Sequence, residues 1–219
     1  QVGTTTLMSG ATIAPGNSIG TLTVMGDLTF SPGATYLVET DPDSGGSDRI
    51  DVSGTARLAG SVVHVGPEGG FATTRQYTIL TANQVQGQFA SVRSNYAYLD
   101  PTLGYDGQSV TMQLARKQVD GTQPNPPTPM AFADAANTNN QRATANALDS
   151  LPAGNVLHEY ILTLPAGAPP AAFDSLSGEA HAGIAGTLMG LSSTVRTLPL
   201  NRLRANLNAG MRAGAPTAQ

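Results

Sequence analysis

Thr21-Leu22-Thr23-Val24, Asp27-Leu28-Thr29-Phe30 and Thr35-Tyr36-Leu37-Val38 follow one another, separated only by Met25-Gly26 and by a stretch holding Pro32-Gly33. Inside each run polar and apolar side chains alternate, the period of a strand with one buried face. Gly and Pro between them are turn residues. The same reading extends in both directions over residues 4–115. Arg49-Ile50-Asp51-Val52, Ala56-Arg57-Leu58, Val62-Val63-His64-Val65, Tyr77-Thr78-Ile79-Leu80 and Val110-Thr111-Met112-Gln113-Leu114 are further short runs. Pro15-Gly16-Asn17, Asp41 to Asp48, Ser53-Gly54, Gly66-Pro67, Gly69-Gly70 and Asp106-Gly107 punctuate them. Two all-β architectures suit this spacing, a sandwich or barrel and a right-handed parallel β-helix. Short strands, many small residues and few aromatics favour the second, because a solenoid has a slim interior of stacked Leu, Val and Ile. The expected fold is therefore mainly β, a right-handed parallel β-helix over 1–115. The less regular, Tyr-bearing stretch Phe71 to Pro101 is its expected cap, since an open end invites strand addition.

Beyond this region the period changes. Residues 116–130, ending in Asn125-Pro126-Pro127-Thr128-Pro129, read as a Pro-rich linker, extended and semi-rigid. Residues 131–219 read as an α-helical segment. Ala143, Ala147 and Leu148 mark one helical run, and Leu157, Ile161, Leu162 and Leu164 a second, broken by Pro165 to Pro170. Ile184, Leu188, Leu191, Val195 and Leu198 form an apolar stripe in steps of four and three, a helix with one apolar face. Pro199 is expected to kink or restart it.

With 219 residues the chain has room for one larger domain or two small ones. Charged residues make up only 12%, yet the net charge is −4 and β-branched residues recur, so the composition is that of a folded chain. The absence of Cys excludes disulfide and thiolate-metal scaffolds. It suits export through an oxidising periplasm and a cytosolic life equally. Gln1-Val2-Gly3-Thr4 has neither the basic nor the apolar part of a signal peptide and is expected to be cut from a longer protein. No apolar run is long enough to span lipid as a helix. Arg196, Arg202, Arg204 and Arg212 follow Glu179 with no acid among them. These are too few, and too poor in neighbouring aromatics, for a nucleic-acid surface, and they read as cations in the C-terminal half of a helix.

Several short motifs carry possible chemistry. Gly16-Asn17-Ser18-Ile19-Gly20 fits the hydrolase elbow, which needs a strand before Ser18, a helix after it and a later acid and histidine. A β-run follows instead, so a turn is expected. Asp41-Pro42-Asp43-Ser44-Gly45-Gly46-Ser47-Asp48 hints at calcium, but position twelve is Val52 where an EF-hand needs Glu; a loop between strands is expected. Gly186-Thr187-Leu188-Met189-Gly190 has the small-residue spacing of close helix packing. His64, His158 and His181 have no clustered partners, and Glu179 and His181 do not share a helix face. No catalytic, metal or cofactor residue is assigned.

Ala14-Pro15-Gly16-Asn17-Ser18-Ile19-Gly20-Thr21-Leu22-Thr23-Val24, then Gly26-Asp27-Leu28-Thr29-Phe30, Tyr36 to Glu39, Ser47-Asp48-Arg49-Ile50, Tyr77-Thr78-Ile79-Leu80-Thr81-Ala82 and Leu99-Asp100-Pro101 together resemble the passenger-associated repeat of autotransporters, the type V secretion proteins. Asn140-Gln141-Arg142, Ala147-Leu148-Asp149-Ser150-Leu151, Phe173-Asp174-Ser175-Leu176-Ser177-Gly178-Glu179-Ala180-His181-Ala182 and Leu200-Asn201-Arg202-Leu203-Arg204 resemble the region before the barrel in that family. The resemblance covers nearly the whole chain. It implies a β-helical passenger stem that promotes passenger folding and export, joined by a helix to a roughly twelve-stranded outer-membrane barrel. Pro199 departs from the family's helical pattern. The implied partners are the chain's own barrel and upstream passenger, with host surface molecules as a further candidate and no nucleic acid. The implied location is the Gram-negative cell surface, reached through the periplasm. The implied role is non-catalytic; the alternatives are an adhesive binding surface, with the Asp41 to Asp48 loop presented outward, and a hydrolase built on Ser18. Among Asn201, Asn206 and Asn208, the last precedes small Ala209 and is the position where the family's Asn-cyclising passenger release would fall.

Overall fold

The computed structural model describes residues 1–41, 44–67, 75–119 and 128–208, excluding the side chains of 179–187, 193–194, 206 and 208. Gly69-Gly70, Phe71 to Thr74 of the expected cap, Pro42-Asp43 of the Asp-rich loop and the middle of the Pro-rich stretch lie outside the described residues. The chain forms two compact units, Gln1–Phe173 and Asp174–Gln219.

Two sheets make up most of the first unit. One has the order β1 (Thr5–Leu7), β4 (Leu28–Phe30), β7 (Arg49–Leu58), β9 (Gln76–Gly87), β12 (Ser109–Arg116), β11 (Leu99–Tyr105), with β3 (Thr21–Val24) also pairing β7. The other runs β10 (Ser91–Ser94), β8 (Ser61–Val65), β5 (Thr35–Asp41), β2 (Thr12–Ile13), with the short β6 (Gly46–Ser47) turned back on β5. The chain passes from one sheet to the other and back, so the strands that neighbour within a sheet are mostly parallel. Parallel register lines like side chains up in rows. Leu22↔Ile50↔Leu80 crosses β3, β7 and β9. Ile13↔Tyr36↔Val62↔Val92 crosses the whole second sheet. Both sets of rows face a common core that holds Leu28, Phe30, Tyr36, Val38, Ile50, Ile79 and Phe89. Phe30 and Phe89 meet edge to face at 5.1 Å.

The expectation of a mainly-β right-handed solenoid is overturned. The protein is mixed α/β; among the described residues there are two sheets of mostly parallel strands and four α-helices. The parallel order stops at β9: β12 joins it antiparallel, and β11 joins β12 antiparallel. The helices complete a second core. Alternation along a strand reports which face is buried; it carries no information about the direction of the next strand or what closes the sheet.

Asp48 fastens the two sheets to each other. It is fully buried. One carboxylate oxygen accepts from the Gly20 N–H at 2.8 Å, at the entrance to β3; the other accepts from the Glu39 N–H at 3.0 Å, on β5. Its own N–H donates to the Glu39 carbonyl at 2.8 Å. A charge in the interior is tolerated only when hydrogen bonds take up its lone pairs, and here they come from both sheets. Gly87 ends β9 with φ +76°, and a side chain there would lie 2.6 Å from the Leu58 carbonyl oxygen. Only glycine meets both conditions.

The Pro-rich stretch does not extend as a spacer at its described ends. Val119 donates to the Thr128 carbonyl and Met130 to that of Lys117, so the two ends pair and the chain turns back. This return brings Phe132 against Tyr98, at 4.9 Å. A short 3-10 turn, Phe132–Ala135, leads to α1 (Asn139–Asp149), α2 (Val156–Leu162) and α3 (Pro169–Leu176). Thr138 and Gln141 form a capping box on α1, and the Asn155 side chain caps α2. Phe132, Ala145, Leu148, Ile161, Leu162, Leu164 and Phe173 pack with Tyr96, Tyr98, Leu99 and Leu114 into the second core.

Asp48→Ala strands the Gly20 and Glu39 N–H groups in the interior and should destabilise the first unit by about 2–5 kcal/mol in urea unfolding. A change under about 0.5 kcal/mol, the size of an ordinary surface substitution, would show that the carboxylate does not hold the sheets. Gly87→Ala should cost roughly 1–3 kcal/mol by the same measurement, because of its left-handed backbone.

Candidate functional site

Ser18 is exposed in the turn between β2 and β3. With Glu39, Thr40, Asp41, Val65 and Gly66 it lines an open cleft of about 410 Å³. Strands flank the Gly16 to Gly20 turn on both sides, so no helix supports Ser18 as an elbow requires. Among the described side chains no histidine ring is hydrogen-bonded to its hydroxyl. His64 lies fully buried on β8 with both nitrogens occupied: Nε2 by the Thr40 hydroxyl at 2.8 Å and Nδ1 by the Ser94 hydroxyl at 2.9 Å. Burial holds its pKa down at about 4. Thr40, His64 and Ser94 thus form a hydroxyl–imidazole–hydroxyl stack across β5, β8 and β10. The pattern Val62-Val63-His64-Val65 places His64 on the buried face but does not tell what would neighbour it there.

The described residues of the Asp-rich loop do not converge on a cation position. Asp48 points inward onto backbone N–H groups, and Asp41 accepts from the Ser44 hydroxyl at 2.6 Å. Among the described residues no group of three or more His, Asp or Glu side chains is placed to hold a metal.

A second cluster surrounds Arg116. Its guanidinium donates to the Met130 carbonyl at 2.8 Å, pairs with Asp149 at 2.7 Å and lies 4.5 Å over the Phe132 ring. The other Asp149 oxygen accepts from the Phe132 N–H at 3.2 Å. The pair is mostly shielded, with side chains about a fifth exposed (20% and 24%), so its charges are screened less than those of an open surface pair. The His158 ring, on α2, has its centroid 5.1 Å from that of Phe132. Burial, and then the Arg116 charge, lowers its pKa. This cluster clasps the end of β12 to α1.

In the second unit, α4 runs from Glu179 to Asn208 as one helix, with Pro199 inside it. The expected restart at Pro199 does not occur. Leu188, Leu191, Val195 and Leu198 are exposed along one row. Met189, Leu200, Leu203 and Leu207 are also exposed, and at about 100° per residue they form a second row about 130° away. Arg196, Arg202 and Arg204 are exposed as well. No helix among the described residues is long and apolar enough to cross a membrane. The space beside Gly190 is open. The side chains of Glu179, His181, Ile184, Asn206 and Asn208 lie outside the described residues, and Asn201 is exposed on α4.

No protein-family model matches the chain, and no curated protein matches it.

Arg116→Lys keeps the charge but loses the planar fork that serves Met130, Asp149 and the Phe132 ring together. It should lower stability by about 1–2 kcal/mol, and Asp149→Ala by about as much. The two losses should be less than additive in a double-mutant cycle, because each breaks the same contact. Strict additivity would show that the pair is not coupled.

Proposed function

We propose that this chain is the non-catalytic stem of an autotransporter passenger, which promotes passenger folding and export and links the passenger to its outer-membrane barrel. The partners in this reading are the upstream passenger and the barrel, at the surface of a Gram-negative cell. The stretches that resemble the family are its first support. The observation that carries it furthest is α4. A helix that lies on a flat surface has one apolar face. Here exposed apolar rows point in two directions about 130° apart, and one flat partner cannot cover both. Such a helix suits a partner that encloses it, and a barrel wall does so.

The first unit supports the same reading from the other end. Its last strands, β12 and β11, turn antiparallel and are backed by a helical core. Its first strands, β1 and β2, are edges, each paired on one side only. An edge strand offers unpaired N–H and C=O groups to a further strand. β10 and β11 are the edges at the opposite ends of the two sheets, where Leu99 and Leu114 pack on the helical core; the edges β1 and β2 offer a template on which further chain can fold.

The coding sequence beyond Gln219 is the first test. About ten-residue alternating segments that close a barrel are expected; an unrelated soluble domain there removes the proposal. In the whole gene product, changing Leu188, Leu191 and Val195 to Ser should lower surface display of the passenger several-fold, read by protease accessibility on intact cells. Changing Met189, Leu203 and Leu207 to Ser should do the same. Sensitivity on one row alone would argue for a flat partner and against enclosure.

A further inference from the structure

The buried stack on the second sheet has no part in the export reading and stands apart from it. Val38, His64 and Ser94 are register partners on β5, β8 and β10, so His64 sits in the middle of three adjacent strands. Its ring joins the outer two through Thr40 and Ser94. The ring also meets Tyr96 edge to face at 5.3 Å. Tyr96 lies just past β10, where the chain leaves the sheets for the helical core. Its hydroxyl donates to the Pro67 carbonyl at 2.6 Å, on the segment just after β8. Its own carbonyl accepts from the Lys117 ammonium at 3.0 Å. Its backbone bridges Pro165, and Asn95 and Ala97 on either side pair with Ala166 and Leu164. One imidazole therefore supports both a three-strand stack and the joint from which the helices hang.

A neutral imidazole has one donor and one acceptor, and two hydroxyls satisfy it in either tautomer. An imidazolium has two donors, and the hydroxyls can rotate to accept from both. Hydrogen bonding therefore does not oppose protonation; the buried charge does. Among the described residues its hydrogen-bond partners are the two hydroxyls, and no carboxylate is bonded to the ring. From β5, Glu39 and Asp41 flank Thr40 and line the outer cleft. From β10, Arg93 precedes Ser94 and is exposed. Beyond β10 come the Tyr96 phenol and, on its carbonyl, Lys117.

We propose that the Thr40–His64–Ser94 stack is an acid-released latch, with a proton as its ligand, which holds β10 and the Tyr96 joint closed while the ring is neutral and frees them when it is charged. The sign follows from linkage. His64 is harder to protonate in the closed state, near 4, than in an opened one, near the ordinary 6.5. The closed state is therefore fully favoured above about pH 6.5 and loses ground as pH falls toward 4. Opening exposes the ring, and the gain is a proton taken up.

The test is hydrogen exchange on the whole chain, with protection at Ser91 to Tyr98 followed from pH 7 to pH 4. The opening constant there should rise by up to about tenfold per pH unit inside that window. His64→Gln, which keeps one donor and one acceptor but cannot be charged, should remove this rise while strands β1, β4 and β7 behave as in the parent. An equal rise in His64→Gln overturns the latch, since carboxylates elsewhere would then be its cause. Should the variant fail to fold, ring NMR of the unaltered protein decides. A His64 ring that titrates near 4, with the Ser94 and Tyr96 amides moving at the same midpoint, supports the latch. A ring that titrates near 6.5 while those amides stay still overturns it.

Discussion

A single buried carboxylate sets the geometry on which the first unit depends. Rows of Leu, Val and Ile give this core its driving force, but apolar contact has no direction and cannot fix how one sheet lies against another. The Asp48 carboxylate can. Its two oxygens are held by N–H groups from different sheets, and its backbone adds a third bond to Glu39. The start of β3, the middle of β5 and the start of β7 are thereby placed relative to each other. The apolar rows then stack in one register, because a slip by one residue would turn every buried side chain outward. Asp48 belongs to the loop that looks from its sequence like a cation site, and it is the interior backbone that uses it.

A comparable division of labour governs the end of the sheets. Phe132, Tyr98 and the aliphatic residues of α1 to α3 supply the area of the second core, while Arg116 supplies its direction. The guanidinium reaches a backbone carbonyl, a carboxylate and an aromatic face at once. This explains why the described ends of the Pro-rich stretch pair with each other: Phe132 must come back to the strand that carries Arg116. The helices of residues 131–173 accordingly share a core with the strands, and the compact units divide only at Phe173.

The second unit follows a different logic. In α4 the described Leu, Met and Val side chains are exposed, in two directions. Small residues keep the helix thin, and Pro199 is accommodated without ending it. Proline removes one donor and crowds the preceding turn, but 20 residues before it and nine after it keep the helix as one element. The reading of α4 as an enclosed helix rests on this distribution, and that of the first unit as a folding template on its open edges.

The sequence by itself located most of the strands and the runs that became α1, α2 and α4, but not α3, whose opening prolines read only as a break. Alternation in Thr35-Tyr36-Leu37-Val38 or Val62-Val63-His64-Val65 marks buried faces, and the steps of three and four in Leu188, Leu191, Val195 and Leu198 mark a helix, because both signals lie within a few residues of chain. It also identified the change from strand to helix after the Pro-rich stretch, and it withheld any catalytic assignment from Ser18. The tertiary structure alone decided what lies beside what. The antiparallel return of β12 and β11 turned an expected solenoid into a mixed α/β fold. The bond from Gly20 to Asp48 and the stack of Thr40, His64 and Ser94 join residues 24 and more positions apart. The physical reason is the same in each case: periodicity is a local property of the chain, whereas strand direction and the partners of a buried polar group are set by distant segments that meet only when the core closes.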